Sequence, residues 1–311
     1  MKPPIFRPQD HSRVELVIMR LLFALVLVDV IPSGLQAVEL TEPVGLAGLA
    51  MERMDDRSWL TRIPFFQWLF ALTWLPDAMP VLKWLSWPVL VVYALGRLPV
   101  LTTGFLFAVT VLVGTYANSN GALKHHHQVV SLILLAQVLW HVWWFVRHRR
   151  VDLKHADDPR VRDQWAAFAS QQAIVAAYVV TGLTKVVTSG FVGWIVAAAN
   201  FPVQLRKTNL QAAYSRADVD TAAGTGLESW LTGHPAAGQA MLGAGLVLEL
   251  GAFLALLGRP WSFTYGLLLI AFHTLNSVFM NLNFRWHNWC LFIFLILPPL
   301  MAATRRVWNR R

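Results

Sequence analysis

Gln172–Gly190 reads QAIVAAYVVTGLTKVVTSG. The run is long and apolar enough to be a membrane helix, yet it carries a lysine, Lys185. A lysine in a spanning segment costs roughly 2.5–3.5 kcal/mol at the centre on insertion scales, and less near an end, so its presence asks for a functional reason. On a helix, Gln171, Tyr178, Thr181, Lys185 and Thr188 share one face, and Val, Ile, Ala and Leu fill the opposite one. Gly182 is small enough to let a neighbouring helix come close. Two readings of Lys185 stand at this point. It points into a bundle along a polar seam, or it snorkels to the membrane surface just beyond Thr188.

The rest of the chain settles the solvent. Of 311 residues 56% are apolar and only 14% charged, with 15 Trp; soluble domains carry about 25% charged residues. Several runs reach or approach the roughly 20 residues that cross a bilayer, and none shows the alternation of barrel strands. The expected fold is an all-α polytopic membrane protein, one domain over residues 1–311, with about eight transmembrane helices. The expected spans are Val14–Ile31, Met79–Gly96, Leu98–Tyr116, His126–Arg147, Gln164–Thr188, Ala236–Leu257, Trp261–Leu282 and Trp286–Ala303. Ile63–Pro76 reads as an interfacial aromatic segment. Gly190–Pro202, GFVGWIVAAANFP, is too short to span and reads as re-entrant or interfacial. The net charge of +9 resides in loops and termini, which argues for topology signals and anionic lipid rather than nucleic acid. Most loop Lys and Arg fall on the side that eight spans give to both termini. The positive-inside rule therefore makes residues 1–13 and the basic tail 304–311 cytoplasmic, and the expected location is a bacterial inner membrane. The first span holds Arg20 and lacks a clean cleavage site, so it reads as retained rather than as a signal peptide. The single Cys290 allows no internal disulfide.

Under this topology Lys185, the run His125–His127, His273 and Asn276, and Arg285 with His287 come to one outer membrane depth. Lys185 is a candidate general base, for which its amine must be neutral; the other reading is a structural cation. KHHHQ (Lys124–Gln128) invites a metal, but neighbouring helical residues point about 100° apart, so no metal is expected. His127, with Ser131 and His141 close to its face, fits a hydrogen-bonding or proton-shuttling role. His273 and Asn276 are either site residues or interhelical glue. Arg20 and Asp29 lie on opposite faces of the first span and each needs a partner elsewhere. Glu249 is either a protonated hydrogen-bonding group or the partner of a base such as Arg20. These three read as structural intramembrane polar residues. There is no phosphate loop, nucleophile elbow or HExxH.

Taken in order, MRLLFALVLVDVIP, HHHQVVSLILLAQ, DQWAAFASQQAIVAAYVVTGLTK, LVLELGAFLALL and AFHTLNSVF resemble the transmembrane domain of vitamin K-dependent gamma-carboxylase and its bacterial relatives, the HTTM (horizontally transferred transmembrane) family. The resemblance runs from about Val17 to Leu300. It implies that Lys185 is the base that deprotonates a reduced, vitamin K-like quinone. It implies that His127, or His126 by a one-residue slip, and His273 assist, with Asn276 in the same motif as His273. Tyr178 and Thr181, on the Lys185 face, and Arg285 and His287, at the same expected depth, are candidates for substrate binding together with His126 and Asn276. The carboxylase has a large lumenal domain after its membrane helices, whereas this sequence ends at Arg311, and NFRWHNW (Asn283–Trp289) departs from the family pattern. These departures make protein carboxylation doubtful, while carboxylase- or epoxidase-like chemistry on a quinol remains the expectation. Quinol chemistry in an outward-facing cavity is expected. The alternatives are a non-catalytic lipid or quinone binder, a helper subunit to a separate protein partner, or, less favoured, a transporter, for which paired broken helices are lacking.

Overall fold

A computed structural model describes residues 7–39, 64, 75–119, 126–150, 158–216, 226–280 and 282–308. Most of the expected interfacial segment Ile63–Pro76, His125, the centre of the basic loop and both extreme termini lie outside the described residues.

The described chain is all-helical and contains no strand. It runs through α1 (Arg13–Glu39), α2 (Leu75–Ala94), α3 (Pro99–Ser119), α4 (His126–Arg150) and α5 (Pro159–Ser189). After Gly190 come a short α6 (Phe191–Val196), a 3-10 turn (Ala197–Asn200), α7 (Phe201–Arg216) and α8 (Leu227–Gly233). Next, α9 (Pro235–Leu250) continues as a 3-10 segment, Gly251–Leu257, and α10 (Arg259–Met280) follows. The last element begins as α11 (Arg285–Leu291), passes through a π-helical turn, Phe292–Ile296, and ends as α12 (Leu297–Trp308).

Five described stretches are long and apolar enough to cross a membrane: His127–Arg147, Pro159–Ser189, Pro235–Leu257, Arg259–Met280 and Arg285–Trp308. They fall on the fourth to eighth expected spans. The first helix corrects one boundary. It was expected to stop before Pro32, but α1 continues through that residue to Glu39. A proline inside a helix removes one backbone donor and clashes with the preceding turn, a penalty that neighbouring helices can absorb in membrane proteins.

The chain divides into two compact units. The first, Asp10–Ser170, packs α1, α2, α3 and α4 against one another. Its core is aliphatic and aromatic: Phe23, Leu27, Ile31, Met79, Leu106, Ile133 and Leu134 are fully buried. A polar chain crosses it. The Tyr93 hydroxyl donates to Gln137 Oε1 at 3.0 Å, and Gln137 Nε2 donates to Ser170 Oγ at 3.0 Å. A buried amide with both ends occupied ties three helices together without an orphan.

The second unit is made chiefly of Gln171–Arg311. Here α10 packs on the 3-10 segment after α9, on the π turn and on α12. The π turn has a cause in the sequence. Pro298 and Pro299 have no N–H, so the carbonyls of Phe294 and Leu295 lose their ordinary helical donors. Two side chains replace them: Gln171 Nε2 donates to Phe294 O at 2.7 Å, and Ser262 Oγ donates to Leu295 O at 2.8 Å.

Candidate functional site

The second half of α5 supplies the floor of the site. Gln171, Tyr178 and Gly182 are buried and Lys185 is half-buried, so the inward stripe steps by seven, four and three. Thr181 and Thr188, expected on the same polar face, are exposed instead. Each returns its hydroxyl to the carbonyl four residues earlier, at 2.7 Å in both cases, so neither contributes to a seam.

Gly182 fixes the approach of α9. A Cβ at that position would stand 3.0 Å from Leu250 Cδ2 and 3.3 Å from Glu249 Cβ. The close approach aligns Lys185 with Glu249. Lys185 Nζ lies 2.6 Å from both carboxylate oxygens. The Glu249 side chain is 5% exposed and that of Lys185 23%. Glu249 thus pairs with Lys185 and not with Arg20, whose partner is Asp163. Glu249 is the partner of a base, with Lys185 in the place where Arg20 was the example: the registry of α5 against α9, set by one missing side chain, decides which residues meet. Past Gly190 the chain turns back, and the Trp194 ring of α6 lies 5.0 Å from Lys185 Nζ, a cation–π contact. Lys185 is therefore held by a carboxylate and an aromatic face together.

Two turns before Lys185 on α5, the Tyr178 hydroxyl meets His273 Nε2 of α10 at 2.5 Å. His273 is buried, and its Nδ1 has no hydrogen-bond partner among the described residues. The Phe284 ring lies 4.2 Å from the His273 ring, and the half-buried His287 ring 5.5 Å away. The hairpin between α10 and α11 thus carries Phe284 and His287 back onto His273. Asn276 is half-buried one turn beyond His273, and Arg285 is exposed.

The remaining candidates belong to the first unit. His127 is buried, and its Cβ would meet a Cβ at Gly114 at 3.0 Å. It lines an apolar groove of about 400 Å³ with Phe107, Val111, Gly114, Thr115 and Ser131. His126 opens α4, but its side chain lies outside the described residues. Arg20 pairs with Asp163, and Asp29 is half-buried. So the structure joins Lys185 with Glu249, and Tyr178 with His273 and His287. It holds His127 in the unit that contains neither group.

Sequence reading overlooked Trp194 and Asp163. Trp194 had a signal, an aromatic residue in a segment too short to span. Asp163 had a weaker one, an acid beside Arg160 and Arg162 in the first turns of α5. Among the described residues no three His, Cys, Asp or Glu side chains gather as a metal site. Comparison with family models, with curated proteins and with solved structures returned no match for this chain.

Proposed function

We propose that the chain is a multi-pass membrane protein of about eight spans, both termini cytoplasmic, that deprotonates a lipid-soluble quinol at Lys185. The re-entrant piece in this reading is α6 with its 3-10 turn, which brings Trp194 over the amine. The observation that carries the reading is the Lys185–Glu249 pair: a lysine side chain still 23% exposed, backed by a carboxylate that is almost fully enclosed. A charged lysine cannot accept a proton. Glu249, at 2.6 Å, is placed to take one from the ammonium, leaving a neutral amine to receive the proton of a quinol hydroxyl and leave a quinolate. Two features support such a ligand: Trp194 offers a flat face, and Nδ1 of His273 has no hydrogen-bond partner among the described residues. Tyr178 and His287 hold His273 in place. Oxygenation of the quinolate to an epoxide is what the carboxylase resemblance adds.

The test is turnover of a reduced naphthoquinone by the purified chain in lipid nanodiscs, followed by absorbance and by chromatography of the products. Lys185→Ala is expected to abolish it and Glu249→Gln to reduce it strongly. Unchanged turnover in Lys185→Ala removes the proposal. A second reading, a quinone or lipid binder without chemistry, is favoured by one observation, the carboxylate and the aromatic face that already occupy the Lys185 amine. Quinone binding seen by tryptophan quenching, with no turnover in the wild type, selects it.

A further inference from the structure

Within the first unit, α1, the turn after α2, α4 and the start of α5 converge on a second group of charges that the proposed chemistry does not use. Asp163 receives two guanidinium groups, Arg20 through Nη2 and Arg162 through Nε at 2.9 Å. Arg162 Nη2 also reaches the carbonyl of Gly96 at 3.5 Å. The Arg20 guanidinium lies directly over Gly96, whose φ of +70° and lack of a side chain make room for it. One carboxylate for two arginines leaves a net charge of about +1 in a partly enclosed place. The Arg20 side chain is 17% exposed and that of Arg162 20%, so several guanidinium N–H groups remain for an outside acceptor. His141 is buried within range of these same charges, and its Nδ1 has no partner among the described residues.

The wall beside this group is aromatic. Trp140 donates its ring N–H to the Arg162 carbonyl at 2.9 Å and stacks on Trp165 at 5.2 Å. Trp143 and Trp144 lie 4.8 Å and 5.7 Å from the Trp140 ring. Arg147 stands over Trp143 at 5.4 Å. Tryptophans gather at the depth of lipid headgroups, where one edge is wet and the body apolar. Guanidinium forks match phosphate oxygens in pairs.

We infer that the Arg20–Arg162–Asp163 group and its tryptophan wall form a binding site for the phosphodiester headgroup of an anionic phospholipid. Charge complementarity selects the occupant: one phosphodiester carries the single negative charge that the cluster lacks, and the tryptophans accommodate the glycerol and upper acyl region. A zwitterionic lipid offers the same phosphate together with a cation, which the arginines repel.

The test uses the purified full chain in neutral detergent, titrated with phosphatidylglycerol, with phosphatidylcholine and with inorganic phosphate, read by native mass spectrometry and thermal unfolding. Phosphatidylglycerol is expected to bind on the order of tenfold more tightly than phosphatidylcholine. Arg162→Gln is expected to erase that preference, and Arg160→Gln, which pairs with exposed Asp10, to keep it. Should Arg162→Gln fail to fold, Arg147→Gln at the exposed rim is expected to weaken the preference in a folded protein. Equal binding of the two lipids by the wild type overturns the site, and stabilisation by inorganic phosphate alone to the same extent overturns the lipid as its occupant.

Discussion

Removing one member of the Lys185–Glu249 pair strands the other's charge among apolar helices. Breaking a buried pair from one side costs about 3–5 kcal/mol, and the 23% exposure of Lys185 puts this case at the low end. Lys185→Met, which isolates the more deeply enclosed Glu249, is expected to lower the unfolding temperature more than Glu249→Leu does. The double replacement Lys185→Met with Glu249→Leu is expected to recover most of the loss, because it removes both charges and keeps the volume. A thermal double-mutant cycle in detergent checks this, and strict additivity would contradict the pairing. At Tyr178 the reasoning is about a hydrogen bond. Tyr178→Phe leaves His273 Nε2 buried without its partner at 2.5 Å, at a cost of about 1–3 kcal/mol. If His273 serves the quinol, the same variant lowers turnover beyond what its stability loss explains.

At the scale of elements, two glycines and one proline pair position the helices. Gly182→Ala asks Leu250 to move by a few tenths of an ångström, since the new Cβ would stand 3.0 Å from Cδ2 and 3.1 Å from Cγ. Gly182→Leu cannot be absorbed that way and is expected to separate α5 from α9, with loss of the Lys185–Glu249 pair and of turnover. Gly96→Ala meets two obstacles, a φ of +70° and the guanidinium of Arg20; the backbone strain alone is worth about 1–3 kcal/mol. The π turn depends on borrowed donors. Gln171→Leu and Ser262→Ala each orphan a carbonyl that the prolines have already deprived of its helical partner, and each is expected to cost about 1–3 kcal/mol. Unfolding midpoints of the two single variants, compared with an exposed control such as Thr274→Ala, decide whether those bonds matter.

For the molecule as a whole, the open quantity is the number of crossings. Eight put both termini on one side, whereas the five described candidate spans taken alone would put them on opposite sides. Impermeant labelling of cysteines introduced at each end of the chain in sealed vesicles distinguishes the two, and same-side labelling is expected. The native background is favourable: Cys290 is fully buried and is expected to stay unlabelled until the protein is denatured.

The amino-acid sequence by itself determined the class of solvent and the helical fold. Composition and the length of apolar runs act locally, through hydration of side chains and backbone, and need no knowledge of neighbours. It also marked Lys185, His273, Arg20 and Glu249 as residues that an apolar medium tolerates only with partners. Which partners those are was decided by tertiary structure alone. The step between Thr181 and Gly182 turns the polar stripe toward α9, and the bare Gly182 surface sets how closely α9 lies. That registry joins Lys185 to Glu249, and within the other unit the packing of α1 on the start of α5 joins Arg20 to Asp163. Pairing across helices depends on distances of a few ångströms between segments far apart in the chain, and a one-dimensional pattern holds no record of them.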